Sequence, residues 1–253
     1  MDAMPLAQFL ENASSRINDL GWAYYFVPET TARGEALGLD TFTFYGVGRG
    51  GVLGDVEPAV VAASFGYFKP SVVEFLWNEG RSKISPRDAA RAHMEAAHAF
   101  ARDTFAKVEG LDAYCAAAEK ILDYARENAA GYPLFAGYAA DPLAEDFPAR
   151  AMQLTTILRE YRGCAHLVAL VASGVDPKVA HYSRRPEMWG MFGWAADEVP
   201  TVTEHDIDAL AKADELTDLL VVPAYAVLDE AGRAAILKGL DGMEQAIQAK
   251  ASA

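Results

Sequence analysis

Arg159, Arg162 and His166 fall within "ILREYRGCAHLVAL", residues Ile157 to Leu170, at spacings of three and four. On a helix those spacings put all three side chains on one face. Arginine carries a planar fork of donors that matches carboxylate and phosphate. Histidine can act as acid, base, donor or metal ligand. The three border an apolar stripe of Leu154, Leu158, Tyr161, Ala165 and Val168, expected to face the core. Gly163 lies between them and would let a ligand or another backbone approach closely. One reading pairs these cations with carboxylates of neighbouring helices. The other has Arg159 and Arg162 orient a partly apolar, anionic ligand in a pocket between helices. An enzyme would use the same pocket, with His166 as the catalytic acid or base and the arginines stabilising developing negative charge.

A second segment with chemical potential is "FYGVGRGGVLGD", Phe44 to Asp55, which spells G-x-G-x-x-G after the strand-like "TFTFY". A dinucleotide site needs a helix directly after the glycines and a parallel strand beyond. "VLGDVEP" places a glycine and a proline there instead, so the fingerprint fails. Arg49 is then the residue of interest, brought toward Arg162 and His166 by glycines that permit tight packing. Aromatic residues Tyr25, Phe44, Tyr45 and Trp189 are candidates to cover the apolar part of a ligand. "EAAH", Glu95 to His98, has the Glu-x-x-His spacing of di-iron bundles, but one copy cannot build such a centre, and no metal site is expected. No cofactor is named by the sequence, and a haem- or metal-dependent enzyme stays as an alternative. Cys115 and Cys164 are expected to be buried, inert thiols.

The elements that must position these groups are mostly helices. Ser85 and Pro86 open a long helix, as N-cap and first helical residue. Another covers the arginine motif. "GYPLFAGYAADPLAEDFP" has three prolines and suggests a long loop, and "RRPEMWGMFGWAADEVP" an aromatic loop that could close over a pocket. Thr203, with Asp206 three residues on, caps a helix. "VVPAYAVL" has the composition of an edge strand, with a last helix after it. Helix, strand, turn and helix resemble the end of a winged helix.

The chain of 253 residues carries a net charge of −14, from 36 acidic and 22 basic residues. DNA-binding domains normally present a basic face. The segment "TEHDIDALAKADELTDLL" holds six acidic residues and one lysine, so no nucleic-acid partner is expected. No apolar run is long enough to span a bilayer. Two cysteines and the lack of a leader pattern suggest the cytoplasm. Alanine-rich helices would allow close packing between chains, as in a homodimer.

The chain resembles an actinobacterial group of helical proteins of helix-turn-helix or MarR-like type. That group's motif L-R-E-H-R-G-D-G-H corresponds to "LREYRGCAH" here, preserving Leu158, Arg159, Glu160, Arg162, Gly163 and His166. Its G-Y-F-A-G-R-A-A-P-L-G segment corresponds to "FYGVGRGGVLG", and its early Tyr-Phe-x-Pro-Glu to "YFVPE". Tyr161, Cys164 and Ala165 depart from the pattern. The resemblance implies a mainly α fold: a helical ligand-binding domain over 1–185 and a degenerate winged-helix-like domain over 186–253. The sequence thus favours a small-molecule binding protein of specialised metabolism that does not bind DNA. A ligand-responsive transcriptional regulator is a further alternative.

Overall fold

The computed structural model describes residues 5–252. Its centre is the 26-residue helix Phe147–Ala172, which holds the arginine motif. We number the helices in chain order: α1 (Leu6–Leu20), α2 (Pro28–Ala36), α3 (Thr41–Gly50), α4 (Pro58–Phe65), α5 (Pro70–Arg81), α6 (Pro86–Thr104), α7 (Leu111–Glu127), α8 (Pro133–Ala139), α9 (the central helix), α10 (Pro177–Arg184), α11 (Glu204–Tyr225) and α12 (Glu230–Ala251). Helices α1, α6, α7, α8 and α11 pack around α9, and α12 closes over α7 and α1. Because α9 is covered on nearly all sides, most of Ala149–Ala165 is buried, including Gln153, Thr155, Thr156 and Glu160. Val168 departs from the expected core stripe; it is exposed.

Two of the expected caps form. Ser85 Oγ accepts from the Asp88 amide, with Pro86 in the first turn. Thr203 and Asp206 cap α11 reciprocally, each side chain accepting from the other's amide.

No strand is present among the described residues, so the fold is all-α and the expected winged-helix-like part is absent. "VVPAYAVL" instead completes α11 and its exit turn. The buried positions Val221, Ala224, Tyr225 and Leu228 recur at three and four, the helical period. Pro223 removes the N–H that would bond the Leu219 carbonyl, but both residues are exposed, so water can take its place. Its β-branched neighbours are overruled by this packing. Val221, Ala224, Tyr225, Ile236, Leu240 and Met243 join the same apolar core as α1, α6, α7 and α9.

"TFTFY" is also helical. Asp40 accepts from the Phe42 and Thr43 amides and starts α3. Every residue from Thr43 to Gly50 is buried, because α3 lies between α5 and α6. Its glycines are where neighbouring side chains lie. A Cβ on Gly48 would come within 2.7 Å of His93 on α6, and one on Gly46 within 3.0 Å of Leu76 on α5. The proline-rich stretch before α9 is not all loop either: α8 buries Leu134, Phe135 and Tyr138.

Candidate functional site

Close packing of α3 brings Arg49 to α9. Its Nε donates to Glu160 Oε1 at 3.0 Å and a terminal nitrogen to Oε2 at 2.8 Å, a bidentate pair. Arg159 bonds the same carboxylate from the next position on α9. Arg49 also donates to Tyr45 Oη at 3.2 Å and lies 4.5 Å above the Phe65 ring. Glu160 is 1% exposed and Arg49 8%. Burial alone would raise the Glu160 carboxyl, but the two arginines outweigh it and hold it below its ordinary range. Two arginines against one carboxylate leave this cluster with one excess positive charge.

Arg162 adds a second. Its Nε is buried with no hydrogen-bond partner, and among the described residues no carboxylate is bonded to it. It faces a cleft of two lobes. The larger, about 270 Å³, is walled by Trp22, Tyr25, Phe26, Tyr45, Phe68 and Phe192. The smaller, about 140 Å³, reaches Arg49, Glu160 and Gly163. Tyr45, Arg159, Arg162 and His166 line both.

His166 is held in one tautomer. Thr217 uses its hydroxyl proton on the Ala213 carbonyl at 2.6 Å, so it accepts from His166 Nδ1 at 2.9 Å. Nε2 is then an unprotonated acceptor. Burial, followed by the charges of Arg162 and Arg184, pushes the imidazole down to about 4, so it is neutral at physiological pH.

The segment after α10 forms the rim. Phe192 stacks on Phe68 at 4.0 Å and on His181 at 3.9 Å. Trp194 Nε1 donates to the Tyr67 carbonyl, and Lys69 pairs with Glu198, which ties the segment to the 66–69 turn.

Of the residues expected from sequence, the cleft collects Tyr25, Tyr45, Arg49, Arg159, Arg162 and His166. Phe44 and Trp189 line neither lobe. Phe44 is buried 5.2 Å from the His93 ring, and Trp189 stacks behind the rim on Trp194 at 5.4 Å. Glu95 and His98 do not converge on a metal: Glu95 pairs with Arg33, and His98 with Gln153. Both cysteines are free and buried. Sequence reasoning missed Trp22, Tyr67, Phe68 and Phe192, which have no motif; it gave no role to Phe26, although that residue lies in "YFVPE", or to Glu160.

The sequence matches the Helix-turn-helix family over residues 10–253. The chain belongs to this family. No curated protein and no solved structure matches it. Membership across nearly the whole chain overturns the expectation of a protein without a nucleic-acid partner. That expectation rested on net charge and on the acidic segment that forms α11, whereas screening confines each charge's influence to about 10 Å at moderate salt, so neither describes the rest of the surface. Local patches decide, and net charge does not report them.

Two stability effects follow from the site. His93 is buried at the α3–α6 contact, and burial, then the Arg49 charge, lowers it from 6.5 to about 3. The unfolded chain therefore takes up that proton first. The contribution is intact above pH 6.5 and is lost as pH falls toward 3. Urea unfolding is expected to show about 2 kcal/mol lost between neutrality and pH ~5 from this residue. His93→Gln is expected to flatten the slope by that amount. Gly163 sits inside α9, yet a Cβ there would meet nothing within 4 Å. Gly163→Ala should stabilise the free protein by roughly 0.5–1 kcal/mol in the same assay.

Proposed function

We propose that this helix-turn-helix protein is a ligand-responsive transcriptional regulator, with the α9 cleft as its effector site and the α5–α6 corner as its nucleic-acid contact. The observation that carries the effector half is Arg162, an unpaired cation in an aromatic cleft. Family membership carries the nucleic-acid half. Two free, buried cysteines agree with a reducing cytoplasm.

Several corners join helices through four residues, and a reading helix must be exposed and basic at its first turns. Helix α3 is buried. Helix α12 begins after Asp229 with Glu230, and α11 is acidic. Helix α6 meets the requirement. Arg81 and Lys83 flank the turn before it, and Arg87 and Arg91 point outward from its first turns. Each is paired, to Asp55, Glu79, Asp141 and Asp88 respectively. Exposed pairs of this kind are worth about 0–1 kcal/mol, so a phosphate can replace the carboxylate at small cost. Helix α3 links the two sites, with Arg49 in the cleft and Gly48 against His93 of α6.

The test is retention of a random-sequence DNA duplex library at low salt. Wild type is expected to select a sequence at micromolar protein, and Arg87→Gln/Arg91→Gln to lose at least tenfold in affinity with its fold intact. Equal retention by wild type and variant would remove α6 as the contact.

A further inference from the structure

The cleft's donors and acceptors define its ligand more narrowly than a charge. Arg162 supplies a cation without a partner, its Nε buried at the wall. Arg159 Nε is also buried and unsatisfied, although its terminal nitrogen is engaged by Glu160. These are anion-seeking groups, and the fork of Arg162 suits a carboxylate. One turn further along α9, His166 offers Nε2, which can only accept, because Thr217 fixes the proton on Nδ1. A ligand that satisfies both must therefore bring an anion and, beside it, a hydrogen-bond donor. Residues four apart share one face of a helix, so the anion and the donor must sit on the same side of the ligand.

The walls set the rest. Tyr25, Tyr45, Tyr67, Phe68 and Phe192 present ring faces and edges, and the larger lobe holds about 270 Å³. That is near the lower bound of drug-sized sites, large for one ring and suited to two or three fused rings. Gly163 leaves the floor of the smaller lobe open, where any side chain would narrow it.

We infer that the cleft binds a fused-ring aromatic carboxylate that also carries a hydroxyl, the carboxylate on Arg162 and the hydroxyl on His166 Nε2. The inference rests on the cleft being the effector site. It is tested without DNA, so its failure and failure of the α6 contact are distinguishable.

Isothermal titration uses two probes, a naphthoate with a hydroxyl meta to the carboxylate and the same compound with that hydroxyl methylated. Wild type should bind the hydroxynaphthoate at least tenfold more tightly than its methyl ether. Arg162→Gln should weaken both at least tenfold. His166→Phe should bind both about equally, because the acceptor is gone and a ring remains. Should Arg162→Gln fail to fold, Arg162→Lys keeps the charge, loses the fork, and is expected to weaken both probes several-fold. No heat from either probe at millimolar concentration overturns the inference. So does equal binding of the two probes by wild type, or binding unchanged in the folded Arg162 variant.

Discussion

Glu160→Gln is expected to lower the unfolding free energy by about 3–5 kcal/mol, because it removes the one carboxylate, among the described residues, bonded to the buried Arg49 and the half-buried Arg159. Glutamine keeps the shape of the side chain but not its charge. Arg49, enclosed by Tyr45, Phe65 and α9, would then hold an uncompensated cation away from water. The loss belongs to the pair. Arg49→Met in the Glu160→Gln background should cost less than in wild type, with a coupling of at least about 1 kcal/mol in a double-mutant cycle. Urea unfolding of the four proteins provides the measurement. Additive effects would mean that water compensates the arginines.

Gly51→Ala is the second large effect. A Cβ at this position would lie 2.0 Å from the Pro86 carbonyl oxygen, and backbone cannot yield as a flexible side chain does. Helix α3 ends here against the first turn of α6, so the clash must be relieved by moving one helix from the other. The expected cost is about 3 kcal/mol or more, at the upper end of overpacking effects. Gly190→Ala is the control, since a Cβ there meets nothing within 4 Å and should change stability little. Thermal unfolding of both variants decides it. A Gly51→Ala protein as stable as wild type would show that the α3–α6 contact is looser than described.

These two sites show how far sequence reaches in this protein. The helical spacing of Arg159, Arg162 and His166 was legible because all three sit at the edge of a buried stripe, where periodicity survives. The caps at Ser85 and Thr203 were legible because capping is a local interaction. Helix α3 was not. It is buried on every face, so it has no polar side to give a period, and its Thr and Phe content suggests a strand. "VVPAYAVL" misled for a different reason: its buried positions have the helical period, but its β-branched residues and Pro223 suggested an edge strand, and tertiary packing overrides that propensity. Glu160 was named in the motif but given no role, because its partner, Arg49, is 111 residues away in sequence. The aromatic wall comes from four separate segments, which no single window of sequence contains. The charge argument failed differently, by letting a sum over the surface and one acidic helix stand for every patch.

The central claim is that a chain of net charge −14 contacts nucleic acid through the corner of α5 and α6 that carries Arg81, Lys83, Arg87 and Arg91. The most direct test is the salt dependence of its affinity for the duplex it selects, read by fluorescence anisotropy. Four phosphate contacts, from Arg81, Lys83, Arg87 and Arg91, predict that log affinity falls against log salt with a slope of roughly −3 to −4. Arg87→Gln/Arg91→Gln should reduce that slope by about two. Failure of wild type to bind any duplex at low salt, or a slope unchanged in the double variant, would contradict the account.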